Sequence, residues 1–538
     1  MGLMQILKND RSEWLAPLAL WITTIASSHL YLNSYVWPKQ IVLTTATAIL
    51  LSVLALQSGG LPRWLLPALA LLLLTSLVHN QSYARLLWGR AGSNIGLISW
   101  ASFLVLAAYS SSNRKQIEFK RAALIMSTVI GASQAVVLFA QEGEFWPGKH
   151  STFSNFYGTL GNSDYTSMVL GMAALASITL VLMVKKRSAQ WILLLIAFLV
   201  IYQLIVIRVV LGEVSFTLGL ILIVLSRIKQ VKLRLLTAVC FAVGMLFVGA
   251  GFFGYGPLGV KLQQVSLLIR EVLWRGGILI WIHNPILGYG FDSYLEGFRR
   301  FRDSQIVSAF SLALVGEDAH NLILTLCLTL GLFGALVSSY LIVLVVKAFS
   351  YSFRTERTTP ETIAVFSIFF GLFVAALATP LNLVTTSCLA YFAGFLIPSR
   401  RPMDSPVNIL RRLHRLALGL FVLSAFVLSA FASLPDFLVQ KASTIIVPIA
   451  DSPSAATRLR YYMRAASNPF AQESIYLNAS TDLSGLGQDA EAFKIAAAGI
   501  KKFPSDFELR QWRLQSKGRI GVPDQEDKVK IRQLDPAQ

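Results

Sequence analysis

Charge is scarce in this chain, and acid is scarcer than base. Only 14% of its 538 residues are Asp, Glu, Lys or Arg, where soluble domains carry roughly 25%, so the composition points away from the cytosol. Acidic residues number 28 against 47 basic ones, a formal charge of +19. In a soluble protein that surplus would suggest nucleic acid as a partner. In a chain that is 55% hydrophobic it reads instead as Lys and Arg concentrated in loops on the cytoplasmic side of a membrane. Cysteine is nearly absent. Cys240, Cys327 and Cys388 all lie in apolar runs without C-x-x-C spacing, which supports neither a disulfide framework nor a zinc site. There is also no D-x-D, no Walker loop, no H-E-x-x-H and no nucleophile elbow, so none of the metal, nucleotide or serine chemistries those motifs carry is indicated. Glu142 and Glu144 are a lone acidic pair, and solvated loop is the plainer assignment than metal.

What the chain does have is long apolar runs. They occupy its first four fifths, from Trp14 to Leu32 through Leu416 to Leu434, and each is about long enough to cross a bilayer as a helix. The expectation is an all-α polytopic membrane protein with about thirteen transmembrane helices, among them Leu235 to Phe253, a long outer loop before the tenth, and a helical soluble tail. Residues 1–435 would be the membrane domain, with an outer loop at about 255–320, and 436–538 the tail. With the N-terminus inside, the basic clusters at Arg114 to Arg121, Lys185 to Arg187, Arg227 to Arg234, Lys347 to Arg357 and Arg400 to Arg415 all fall on the cytoplasmic side. The first span follows Lys8 and Arg11 without a nearby A-x-A site and reads as a retained anchor. In the tail, Ala492, Ala496 and Gly499 followed by Pro504 have the spacing of a second tetratricopeptide helix; a generic helical hairpin is the alternative.

Polar residues gather at the outer ends of the helices rather than at mid-span, which favours a reaction at the surface over transport. In "GEDAHNLILTLCLTLGLFGAL", His320 and Asn321 stand at the mouth of an apolar run, and nine residues later Gly331 and Gly334 form a G-x-x-G pair. A neutral imidazole can take a proton from a hydroxyl, with Asp318 or Glu317 to orient it. Gly331 and Gly334, about one turn apart, would let a helix or a lipid chain approach. Arg270 sits in an apolar stretch with Trp274, Arg275 and Trp281, where its fork suits a phosphate. Arg275 could equally snorkel to lipid headgroups, and the cluster Arg299, Arg300 and Arg302 fits that better. Arg208 lies between two apolar helices and needs a partner, either Glu213 or a diphosphate.

With these residues together, the sequence resembles the O-antigen ligase and polymerase superfamily of envelope glycan enzymes. The His320, Asn321, Gly331 and Gly334 spacing is similar to that of its ligase members, while His283 and Asn284 lack the downstream glycines. Arg270, Trp274, Pro285, Gly288 and Gly290 look like its R-x-x-x-W … P-x-x-G-x-G stretch, and Gly158 to Asn162 like its G-T-L-G-N loop. Arg208 follows Ile207 where the family commonly has Ser or Thr, and Thr329 stands where an acid is often found.

The resemblance implies a metal-independent transfer, without a cofactor, of a glycan from polyprenyl (undecaprenyl) diphosphate to an acceptor hydroxyl on the outer side of a bacterial inner membrane. His320 would be the base, Arg208, Arg270 and Arg275 would hold the donor diphosphate, and Asp318, Asn321, Gly331 and Gly334 would support them. The acceptor could be a lipid, a growing glycan or a protein, as in ligases, polymerases and protein O-oligosaccharyltransferases respectively. Membrane lipids are the remaining partner, with no nucleic acid. A lipid-glycan flippase is the rival from another class, and a scaffold recruiting through the tail is a third.

Overall fold

The computed structural model describes residues 12–28, 30–56, 61–79, 81–143, 157–228, 265–302, 316–351, 358–399, 410–442, 455–520 and 526–535, with a few single positions between 230 and 246. Among the described residues every element is helical. After a short 3-10 turn come α1 (Leu15–Ile25), α2 (Trp37–Leu56), α3 (Leu65–Leu77), α4 (Tyr83–Trp88), α5 (Leu97–Ser112), α6 (Ile117–Glu142) and α7 (Ser163–Met183). They continue with α8 (Arg187–Val206), α9 (Val210–Arg227), α10 (Val265–His283), α11 (Tyr294–Phe301), α12 (Leu322–Tyr351), α13 (Pro360–Ala376), α14 (Leu383–Gly394) and α15 (Leu410–Ala442). The tail adds α16 (Ala455–Ala466), α17 (Glu473–Gly485), α18 (Asp489–Lys502), α19 (Phe507–Ile520) and α20 (Glu526–Leu534).

Among the described residues seven helices, α2, α6, α7, α8, α9, α12 and α15, are long and apolar enough to cross a membrane, as a polytopic α-helical membrane protein requires, and α3, α5, α13 and α14 are shorter apolar helices. The predicted span from Leu235 to Phe253 lies almost wholly outside the described residues, as does Glu144. Sequence sets several helix starts. Asn162 and Asn382 accept from backbone N–H groups of the first turns of α7 and α14, and Thr359 does so for α13, where Pro360 needs no partner of its own. Burial separates centre from rim. The apolar window of α7 is 78% buried, against 22% for α8, whose Trp191 and Phe198 are exposed. A helix so apolar on its outward face matches lipid rather than water.

Small residues determine how the central helices align. A side chain at Gly212 of α9 would strike Ser167 of α7, and one at Gly219 would strike Leu175, so α9 runs parallel to α7. The same α9 faces antiparallel α13, with Ser215 against Gly371 and Gly219 against Ser367. The starts of α7 and α9 and the finish of α13 therefore share one end of the bundle. At the opposite end, Arg121 pairs with Glu361 at 2.9 Å, Lys120 donates to Thr362 at 2.8 Å and Lys347 to the Leu396 carbonyl at 2.6 Å.

The domain boundary expected at 435/436 falls inside α15, which continues through Pro435. Just beyond it, the buried Asp436 carboxylate accepts from Asn33 N (2.7 Å) and Nδ2 (2.9 Å). The tail then packs onto the bundle through ion pairs. Arg85 reaches Glu296 at 2.6 Å and Glu473 at 3.5 Å, and Arg299 pairs with Glu508 at 3.0 Å while covering the Phe507 ring. Arg302 pairs with Asp535, each side chain 1% exposed. The expectation that Arg299 and Arg302 snorkel to headgroups is thus overturned: a tail more than two hundred residues downstream supplies the carboxylates. Removing one partner of a buried pair strands the other, at about 3–5 kcal/mol. Arg302→Ala should therefore loosen α20, with faster tryptic cleavage of the tail and a lower thermal midpoint, whereas an unchanged digestion pattern would refute the bracing role.

Candidate active site

Two distant motifs build one framework. Gly331 has φ 57° and ψ −131°, so α12 breaks there, and into the break comes the loop 284–290. Tyr289 N donates to the Leu328 carbonyl (2.7 Å), Gly290 N to Thr329 (3.1 Å) and Leu332 N to Ile286 (3.0 Å). A Cβ on Gly288 would stand 2.6 Å from Gly331 N, and one on Gly331 would collide with the Ile286 carbonyl. The two glycines of the G-x-x-G pair therefore do not line one continuous helix face for a helix or lipid. Gly331 admits a loop backbone, and Gly334 closes against the Leu326 carbonyl. Asn284, of the rejected His-Asn pair, braces this loop by donating to the Gly288 carbonyl, and His283 stacks on Phe301. Gly331→Ala forces a side chain into a left-handed position, at about 1–3 kcal/mol from strain alone. A clear fall in thermal midpoint in detergent is expected, and a parental midpoint would contradict this role.

His320 stands just before α12, also left-handed at φ 50°, a costly state for a non-glycine residue that marks constrained sites. Asp318 imposes it: Oδ1 accepts from His320 N at 2.6 Å. The Asp318 carbonyl lies 3.1 Å from Nδ1 and can only accept, so Nδ1 carries the proton and the Nε2 lone pair is left for chemistry. Desolvation and the neighbouring Arg270 guanidinium hold the imidazole below its ordinary pKa, which keeps it neutral near pH 7. Burial, and then Asp292 nearby, push the Asp318 carboxyl up to about 7; both acids line a small pocket with Glu317. Glu317 itself is exposed, so Asp318 is the residue that orients the histidine.

Asn321 caps α12, its Oδ1 accepting from Leu324 N at 3.1 Å, while Nδ2 donates to the Leu377 carbonyl at 3.0 Å. The next carbonyl, Ala378, accepts from Arg270 Nε at 2.7 Å. The finish of α13 thus ties the histidine segment to the arginine. Arg270 is 8% exposed, and its Nη2 lies 3.4 Å from Asp164 Oδ2. Asp164 interacts electrostatically with both Arg270 and His320. The sequence reading passed over this aspartate, although an ionisable residue at the mouth of an apolar span, two positions past the Gly158 to Asn162 loop, was a usable signal. That loop is pinned from three helices or their ends: Thr159 N donates to Gln134 Oε1 (3.1 Å), Thr159 Oγ1 donates to the Thr24 carbonyl (2.7 Å), and the Thr159 carbonyl accepts from buried Lys39 (2.7 Å).

The other two arginines stand apart from this cluster. Arg208 is exposed at the turn between α8 and α9 with φ 54°, and among the described residues it forms no ion pair with Glu213. It nevertheless precedes the start of α9, and so lies at the same end of the bundle as the finish of α13. Arg275 is exposed, five residues and so about 140° round α10 from Arg270. Among the described residues, no three His, Cys, Asp or Glu side chains converge as a metal site.

No curated protein matches this chain. Residues 208–338 match the family model described as O-antigen ligase, a segment that begins at Arg208 and contains Arg270, Asp318, His320, Asn321, Gly331 and Gly334.

Proposed function

We propose that the protein transfers a glycan from polyprenyl diphosphate to an acceptor hydroxyl at the outer face of a bacterial plasma membrane, without metal or cofactor. The observation that carries this reading is His320, its Nδ1 committed to the Asp318 carbonyl and its Nε2 open, beside a buried arginine in the segment that matches O-antigen ligase. Nε2 takes the acceptor's hydroxyl proton as its oxygen bonds to the anomeric carbon. The bond from that carbon to the diphosphate oxygen breaks, and the departing diphosphate keeps the electron pair. Arg270 neutralises the growing charge, with Arg208 reaching the same diphosphate from the adjacent turn. Arg275, exposed on another face, suits the headgroup phosphates beside the donor. Gly331 and Gly334 shape the framework rather than touch substrate.

Placing Lys120, Arg121 and Lys347 at the end opposite His320 fits a cytoplasmic location for those charges and an outer location for the site. A flippase would want its charges at mid-span; here Arg270, Asp164 and His320 cluster at a helix-end surface, which favours the enzyme. Transfer to a lipid core is the preferred reading, with polymerase or protein O-glycosylation as variants on the same chemistry. The tail, whose α17–α18 hairpin buries Ala492, Ala496 and Gly499, is read as a tetratricopeptide-like brace. Purified protein given polyprenyl-diphosphate glycan and candidate acceptors, with products read by mass, tests all three. One block on a lipid supports the ligase, a ladder the polymerase, one block on a protein the oligosaccharyltransferase, and no product refutes the proposal.

A further inference from the structure

Among the described residues Asp164 is the acidic side chain paired with Arg270, and the pair is loose. Its 3.4 Å separation exceeds the roughly 2.7–2.9 Å of a tight charge-assisted hydrogen bond. Arg270 does not depend on it for position, because Nε is anchored to the Ala378 carbonyl at 2.7 Å. Asp164's own backbone is held by Asn162, which accepts from Asp164 N at 2.7 Å, so only the side chain is left to move, and at 24% exposure it has room. Among the described residues, the charged groups that act on His320 are Asp164 from α7, Arg270 from α10, and Asp318 and Glu317 from its own segment. Asp318 is already engaged with the His320 backbone, and Glu317 is exposed.

We propose that Asp164 is a positioning residue exchanged between two partners: with the donor site empty it neutralises Arg270, and when a diphosphate arrives it yields that arginine and turns to His320. This rests on the proposed roles of Arg270 and His320. A diphosphate carries more negative charge than one carboxylate and matches the guanidinium fork, so it displaces Asp164 from Arg270. The released carboxylate then stabilises the imidazolium that forms as the acceptor loses its proton. The base is strengthened only when the donor is in place, which couples the two substrates through one side chain.

The test uses full-length protein in lipid nanodiscs, with farnesyl diphosphate binding measured by calorimetry and glycan transfer by steady-state kinetics. Asp164→Asn removes the internal competitor, so farnesyl diphosphate should bind several-fold more tightly. It also removes the imidazolium's partner, so kcat should fall about 10- to 100-fold. Loss of a negative charge lowers the imidazole pKa, so the acid limb of kcat should move to lower pH. Asp164→Glu keeps the charge and should keep the parental limb, which guards against a folding defect in the first variant. Tighter binding with slower turnover is a split that general destabilisation would not produce. A parental kcat, or weaker diphosphate binding, in Asp164→Asn would overturn the exchange. His320→Ala and Arg270→Ala are run alongside. If either transfers glycan at the parental rate, the proposed site itself fails; if both lose activity while Asp164→Asn does not, only the exchange fails.

Discussion

Replacing His320 by alanine is expected to lower kcat for glycan transfer by about 10²- to 10⁴-fold, the usual contribution of a positioned general base, while farnesyl diphosphate binding changes little. The separation follows from geometry. His320 presents Nε2 to the acceptor side, its other nitrogen being committed to the Asp318 carbonyl, whereas the donor's charge is met by Arg270. The parental pH profile carries the same signature. A base works in its neutral form, so activity is lost as pH falls through the imidazole pKa. Desolvation and Arg270 depress that pKa in the unliganded protein, so the acid limb of kcat/KM for donor should lie below the ordinary value of about 6.5, and it should disappear in His320→Ala. A variant with full activity and an unchanged limb would remove His320 from the mechanism.

The second large effect is expected at Arg270. Arg270→Ala should cost about 10²- to 10³-fold in kcat, as for the loss of one donor aimed at developing negative charge, and should also weaken farnesyl diphosphate binding, because the group attracts the diphosphate before and during departure. Lysine should not rescue it. The guanidinium uses Nε on the Ala378 carbonyl and Nη2 toward Asp164, and a single ammonium cannot serve both directions with fixed geometry. Full rescue by Arg270→Lys, in kinetics and in farnesyl diphosphate binding, would mean that only charge, and no anchored fork, is needed there.

How far the sequence alone could reach depended on whether a feature was local. Apolar runs such as Tyr165 to Val184 announce a helix because the signal is contiguous, and α7 spans Ser163–Met183. The His320, Asn321 and Gly331 spacing was equally visible, but its meaning was not. A glycine in an apolar helix reads as a packing position, and only the loop around Gly288, some forty residues upstream, reveals that α12 is broken there. Arg299 and Arg302 looked like interfacial arginines because Glu508 and Asp535 lie far along the chain. Arg208 drew attention as a charge between apolar helices, yet its neighbour Glu213 is not its ion-pair partner among the described residues; its place at the same end as the finish of α13 emerges only from the packing of α9 on α13. Asp164 was passed over because nothing in its local sequence points to Arg270, which a different helix carries.

The central claim is a single displacement: the acceptor oxygen, freed of its proton by His320, attacks the anomeric carbon from the face opposite a diphosphate held by Arg270. One in-line substitution inverts the configuration at that carbon, whereas two successive substitutions through a glycosyl-enzyme intermediate would retain it. The anomeric configuration of the newly formed bond, read by NMR on product made by the purified protein from a donor of known configuration, is therefore the most direct measurement. Inversion is the predicted result, and retention would contradict the account.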